Sequence, residues 1–460
     1  MNDKRKKHGR RQRRSWSRLL AAPILVMLAS TTPACSDGQG GADAGAPAAT
    51  QGSSGGGGAP GLVAFTGATI IDGAGGEPIA DGVLLVRDGR IEAVGSAGDV
   101  AVPAGAERVD LTGRTILPGL INAHGHVGDT RGLEGGHYSA ENVVDQLRLY
   151  ARYGITTVNS LGGDGDAAVA VRAAEEAPDL DRARLLFAGP VVGAGTPEEA
   201  RAQVDEIAAM DPDFIKIRVD DNLGAGRKMP PEVYRATIEA AHAHGIRHAS
   251  HLFYLDDAKD LLASGTDLVA HSVRDQPVDE QLIDLLIDND VCYCPTLTRE
   301  ISTFVYESEP EFFADPFFLA EADPAVVEAL KDPARQARYR GAGPDAYKQA
   351  LQVALANLKA VVDGGATVAM GTDSGPPARF QGYFEHLELE LMAEAGLTPM
   401  QIIVASTGDA ARCLGLTDRG TLSPGKLADF VVVTADPLAD ITNTRTIESV
   451  WISGNRVPRD

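Results

Sequence analysis

The sequence is poor in cysteine, in long apolar runs and in positive charge. Four cysteines in 460 residues exclude a disulfide scaffold. No stretch reaches the roughly 18 apolar residues that a membrane-spanning helix needs. Lys plus Arg number 42 against 64 Asp plus Glu, a formal net charge of −22. That balance argues against a nucleic-acid binder working through broad positive potential. What remains is ordinary: 44% hydrophobic and 23% charged residues, the proportions of a soluble globular protein. The length allows roughly three domains, or one large barrel with attachments.

The scarce positive charge is concentrated at one end. Nine of the basic residues fall within residues 1–34, beside one acid, Asp3. An apolar stretch of eleven residues, 19–29, follows. It is too short to span a bilayer but suits the core of a signal peptide. Thr32-Pro-Ala-Cys35 resembles a bacterial lipoprotein processing site, and Arg13-Arg14-Ser-Trp16 resembles a twin-arginine export signal. Residues 1–34 are therefore expected to be an export signal, with Cys35 as a lipid-bearing residue and membrane attachment point. Residues 35–61, rich in Gly, Ala and Ser, read as a flexible linker.

Short strands and Asp-Gly turns fill residues 62–115 and return in 414–460, so these flanks are expected to form one small β-sandwich domain from both chain ends. Between them, in 116–413, short apolar strands alternate with amphipathic stretches. Strands are expected near 115–126, 155–158, 185–188, 214–219, 247–251, 268–271, 291–295 and 367–370. Eight βα units are the number that closes a (β/α)8 TIM barrel, so the fold class is α/β.

Five residues stand out at the ends of these strands. His124 and His126, two apart, point to one side of the first. His251 and His271 end two later strands, and Asp373 follows the last. Barrel active sites form at that face. Imidazoles and a carboxylate converging there would suit zinc or a similar divalent ion. Lys216 lies within an apolar strand, where a buried cation is costly. Either it reacts with carbon dioxide to give a metal-bridging carbamate, or it pairs with an acid such as Asp213 or Asp220.

These motifs resemble those of the amidohydrolase superfamily of metal-dependent hydrolases. Residues 117–126 resemble its Pro-Gly-x-x-Asp-x-His-x-His opening, with Asn122 in place of Asp. Gly371-Thr-Asp-Ser374 resembles its last-strand motif, and 420–433 its closing β segment. The best likeness is to the imidazolonepropionase-like and Xaa-Pro dipeptidase-like branch, where Ile215-Lys216 resembles the bridging-lysine strand and 241–251 a segment ending in a ligand histidine. The resemblance implies two zinc ions. His124, His126 and Asp373 would hold one, His251 and His271 the other, and carboxylated Lys216 would bridge them. His242, His244 and His248 would be structural neighbours. Imidazolonepropionases are expected to lack the lysine, so Lys216 points to a different substrate.

The expected chemistry is hydrolysis of an amide-like C–N bond in a small molecule such as a dipeptide or N-acyl amino acid. Water held between two cations would attack, with Asp373 as proton carrier. A lactone or phosphoester hydrolase, or a catalytically dead surface-binding lipoprotein, are the alternatives. His137, Arg218, Tyr254, Arg379 and His386 are candidate substrate contacts. The aromatic-rich segment 298–340 follows a strand, so it either lids the barrel mouth with an aromatic pocket or packs as ordinary helices. Cys292 and Cys294 are expected to be buried small apolar residues rather than ligands.

Overall fold

The structure, a computed structural model, describes residues 61–458. The expected signal, Cys35 and the linker up to residue 60 lie outside the described residues. No helix among the described residues is long and apolar enough to cross a membrane.

Both flanks contribute to one sheet. From the first come β1 (Leu62–Ile70), β2 (Ile79–Arg87), β3 (Arg90–Ser96), β4 (Glu107–Asp110) and β5 (Thr115–Pro118). The Asp88-Gly89 turn closes the β2–β3 hairpin with both residues at positive φ, 49° and 80°, as a two-residue hairpin turn demands. The first half of β1 pairs with β4 and its second half with β5. The far end of the chain completes the sheet, because its strand Phe430–Val433 lies antiparallel to β5. Phe65, Phe430 and Trp451 meet in the core beneath, with ring centroids 4.8–5.7 Å apart.

The barrel strands are β6 (Leu120–Gly125), β7 (Ile155–Ser160), β8 (Arg184–Phe187), β9 (Phe214–Arg218), β10 (Arg247–His251), β11 (Leu268–Ala270) and β12 (Cys292–Cys294). They form two parallel ladders, β6-β7-β8 and β9-β10-β11-β12. Backbone bonds join the ladders. Asp213 N donates to Phe187 O (2.9 Å) and Val192 N to Lys216 O (2.9 Å). The eighth position is held by segment 367–374, an irregular run rather than a full strand. Tyr293 N donates to Thr367 O (2.9 Å) on one side, and Ala123 N to Met370 O (2.8 Å) on the other. The cycle therefore closes with eight positions. Small residues such as Ala123, Ala188, Ala249, Ala270 and Ala369 fill its interior.

Two expectations need correction. Residues 115–117 do not begin the first barrel strand but belong to β5 of the flanking sheet. The chain breaks at Gly119, where a Cβ would fall 2.1 Å from Thr156 Oγ1, and the barrel strand starts at Leu120. Cys292 is buried as expected, but it is not merely a small apolar residue. It forms a disulfide with Cys413, 121 positions away, with Cα atoms 5.8 Å apart. The bond ties the start of β12 to the helix Gly408–Cys413. Cys294 remains a buried free thiol.

A cross-link over so long a loop limits the unfolded chain. Cys413→Ala is expected to reduce unfolding free energy by about 2–5 kcal/mol, read as a lower denaturation midpoint without reductant. An unchanged midpoint would contradict a structural disulfide.

Candidate active site

The ends of the barrel positions bring the candidate residues to one cavity of about 260 Å³, lined by His124, His126, Lys216, His251, His271 and Asp373. Arg218, Arg299 and Arg379 complete its charged wall. The closest cluster is His124, His126 and Asp373, whose donor atoms lie within 4.8 Å of one another. The His271 ring centroid lies 4.6 Å from that of His124 and 4.2 Å from that of His251. Lys216 Nζ is 3.2 Å from His124 Nε2. All six residues predicted as ligands thus meet.

Hydrogen bonds decide which imidazole nitrogen carries its proton. His126 Nδ1 faces the Gly162 carbonyl at 2.8 Å. That oxygen only accepts, so Nδ1 donates to it, and Nε2 points at Asp373 Oδ1, 2.8 Å away. His251 Nε2 meets Asp220 Oδ2 at 2.8 Å. Burial would raise the Asp220 carboxyl, but the His251 contact outweighs it and holds the group well below its usual range. His251 therefore donates through Nε2 and leaves Nδ1 as its free donor atom. His271 Nδ1 is bonded to the Thr296 hydroxyl at 2.6 Å. His124 Nδ1 is buried without a partner among the described residues.

Burial also sets the protonation states. It holds His124 and His271 well below the ordinary histidine value, and His251 at about 3. These three imidazoles are therefore neutral. Lys216, 4% exposed, is pushed down to about 7 by burial. Neither acid considered for it is its partner: Asp213 pairs with Arg172, and Asp220 with His251. Burial would raise Asp373, but the Arg379 guanidinium holds it well below the usual carboxylate range. Neutral imidazoles, a half-neutral amine and one carboxylate facing inward make a donor set for divalent cations.

The remaining candidates separate. Arg218 lines the cavity and also meets Asp220 and Asn222. Arg379 lines it and bonds Asp373 directly. His137 is exposed and not among the lining residues. Tyr254 lies outside the lining, donating to Asp221 (2.7 Å) with Lys228 over its ring. His386 requires correction. It is buried, with Nδ1 on the Thr444 hydroxyl (3.0 Å) and Nε2 on the Tyr153 carbonyl (2.8 Å). Both nitrogens are thus spent fastening the helix Tyr383–Glu394 to its surroundings. The rings of segment 298–340 chiefly pack on one another and on Phe380, Tyr383 and Phe384. This is the packing alternative. His248 is buried against Thr266, while His242 and His244 pair with Asp267 and Asp205.

Sequence reasoning missed Arg299. It follows β12 in the helix Leu297–Ile301, stacked 4.7 Å over Tyr347 and paired with Glu300. Its position just past a barrel strand was the available signal. The role of Asn122 also emerges only in three dimensions. Its Nδ2 donates to Glu385 (2.7 Å) and Thr372 (3.0 Å), while its Oδ1 accepts from the His124 backbone (2.9 Å). The amide holds the His-x-His strand beside a buried carboxylate.

Residues 115–457 match the Amidohydrolase family. The imidazolonepropionase of Salinispora tropica is 26% identical over 384 residues, spanning 77% of this chain and 86% of that protein. Among solved structures, a Xaa-Pro dipeptidase with bound methionine in the active site superposes with a TM-score of 0.68 at 21% identity, covering 86% of this chain and 99% of that one. Molinate hydrolase gives 0.67 at 22% identity, covering 87% and 95%.

Replacing Asn122 by Asp would set a second carboxylate against Glu385, which burial already raises. The folded state would then hold a proton that the unfolded chain releases, so stability should fall as pH rises. Asn122→Asp is expected to cost about 1–3 kcal/mol near neutral pH. The loss in melting temperature should be larger at about pH 8 than at about pH 5. Equal losses at both would contradict the carboxylate contact.

Proposed function

The chain belongs to the amidohydrolase family, and from that premise we propose that it is an exported metal-dependent hydrolase cleaving the C–N bond of a small carboxylate-bearing amide. It stands in the imidazolonepropionase-like and dipeptidase-like branch of the family. The convergence of four imidazoles, two of them fully buried, with Lys216 and Asp373 on one cavity carries the reading.

His124, His126 and Asp373 would hold one zinc ion, and His251 and His271 a second. The half-neutral Lys216 amine supports a carbamate that would bridge them. Its Nζ lone pair adds to the carbon of carbon dioxide and Nζ loses a proton, giving a carbamate that supplies the missing negative charge. Bound metals would supply Lewis acidity to acidify water and polarise a carbonyl.

The chain's own groups do the rest. Gly162 O and Asp220 fix the rings of His126 and His251. Asp373 takes a proton from the attacking water and passes it to the leaving nitrogen as the C–N bond breaks. Arg218 and Arg299 give the cavity wall a positive charge that suits a carboxylate on a dipeptide or N-acyl amino acid. Lys216 favours such a substrate over that of an imidazolonepropionase.

Export accounts for the basic, apolar and small-residue order of residues 1–34, with Cys35 as lipid attachment. The Cys292–Cys413 bond supports an oxidising compartment.

A hydrolysis screen of dipeptides, N-acyl amino acids and lactones on the zinc-loaded protein tests the substrate class. Cleavage of the amides is expected; cleavage of lactones alone would overturn it. Asp373→Asn should keep the fold and lose turnover by at least about a thousandfold. Near-normal turnover in that variant would sink the proton-carrier role.

A further inference from the structure

The two oxygens of Asp373 have different neighbours. Oδ1 lies 2.8 Å from His126 Nε2 and 3.6 Å from His124 Nε2. Oδ2 accepts from Arg379 Nη1, which also reaches the Asp373 backbone carbonyl at 3.3 Å. One oxygen faces the donor cluster and the other is engaged by a guanidinium.

Arg379 is delivered by a tightly built turn. Gly375 N donates to Arg379 O (3.0 Å), and Arg379 N to Pro376 O (2.9 Å). Pro376 and Pro377 restrict the backbone between them. Gly375, at φ 110°, packs so close that a Cβ would fall 2.0 Å from the His126 carbonyl oxygen. Tyr306 donates its hydroxyl to Ala378 O (2.6 Å), and Gln381 reaches His126 O (2.8 Å). The turn is thereby fastened to the His-x-His strand and to the aromatic cluster. Asp373 itself adopts φ 57°, a left-handed backbone that costs free energy for a residue other than glycine.

We propose that Arg379 is a positioning residue that confines Asp373 to one oxygen toward the metal-binding histidines. The inference rests on the proposed ligand and proton-carrier roles of Asp373. A carboxylate can hold a divalent ion through one oxygen or two. Binding through two would commit both oxygens to the cation, whereas an Oδ2 that accepts one N–H keeps a second lone pair for a proton. The planar guanidinium donates to one lone pair of Oδ2 and fixes the carboxylate plane, which a lysine, as a point charge, does less well. Arg379, weighed from sequence as a substrate contact, acts instead through Asp373.

The test compares the full-length protein with Arg379→Met, Arg379→Ala and Arg379→Lys, each loaded with cobalt(II). A second ligating oxygen raises the coordination number, and visible cobalt absorption weakens as that number rises. Arg379→Met is expected to bind the same cobalt equivalents as wild type with weaker visible bands. Its kcat should fall at least about tenfold while KM stays within about threefold. Arg379→Lys should lie between. Added guanidinium should partly restore kcat in Arg379→Ala and not raise it in wild type.

Bands and kcat matching wild type in Arg379→Met would overturn the proposal. So would a raised KM with intact kcat, which would make Arg379 a substrate contact. Should Arg379→Met fail to fold, Arg379→Lys decides by the same readouts. If no amide is cleaved by wild type, the functional reading fails, while the cobalt spectra still report how Asp373 is held.

Discussion

The structure depends on one constraint: lone pairs that repel one another are buried at the same point. Three neutral imidazoles, the ring of His126, a desolvated amine and an ionised carboxylate face inward at the barrel mouth. Without a cation, such a cluster loses hydration and gains little in return. With one, His124, His126 and Asp373, whose ligand atoms lie within 4.8 Å of one another, would turn that cost into bonds. The parallel barrel allows this because residues far apart in sequence leave their strands at the same end.

Much of the surrounding polar structure holds these donors in place. Glu385 gathers Asn122, Thr372, Ser374 and the Gly382 amide around the last barrel position. Glu388 accepts from the Leu297 and Thr298 amides and from the Thr298 hydroxyl, and burial pushes it up to about 8. Arg274, fully buried, bonds the Leu252 and Ser272 carbonyls and pairs with Glu300. The Asp220–His251 contact extends the same wall. Fixed neighbours of this kind reduce the cost of bringing like donors together and keep ring orientations constant.

The fold and the donor set were legible because they rest on local rules. Strand-end placement revealed His251, His271 and Asp373, period-two spacing paired His124 with His126, and an apolar strand exposed the anomaly of Lys216. The β2–β3 hairpin could be read from Asp88-Gly89. What escaped depends on long-range closure. Arg299 gains meaning only when β12 and the helix after it are seated beside Asp373. The Cys292–Cys413 bond joins residues 121 apart in sequence, and no local signal pairs them. His386 looked available because it follows the Asp373 motif, yet helix rotation turns it toward Tyr153 and Thr444. The aromatic segment offered both a pocket and a packed cluster, and mutual contact between the rings favours packing.

Metal content is the most direct measurement of the central claim. Elemental analysis of the purified full-length protein, grown with zinc, is expected to give about two equivalents of divalent metal per chain. A folded, amide-hydrolysing protein holding less than about a tenth of an equivalent would contradict it.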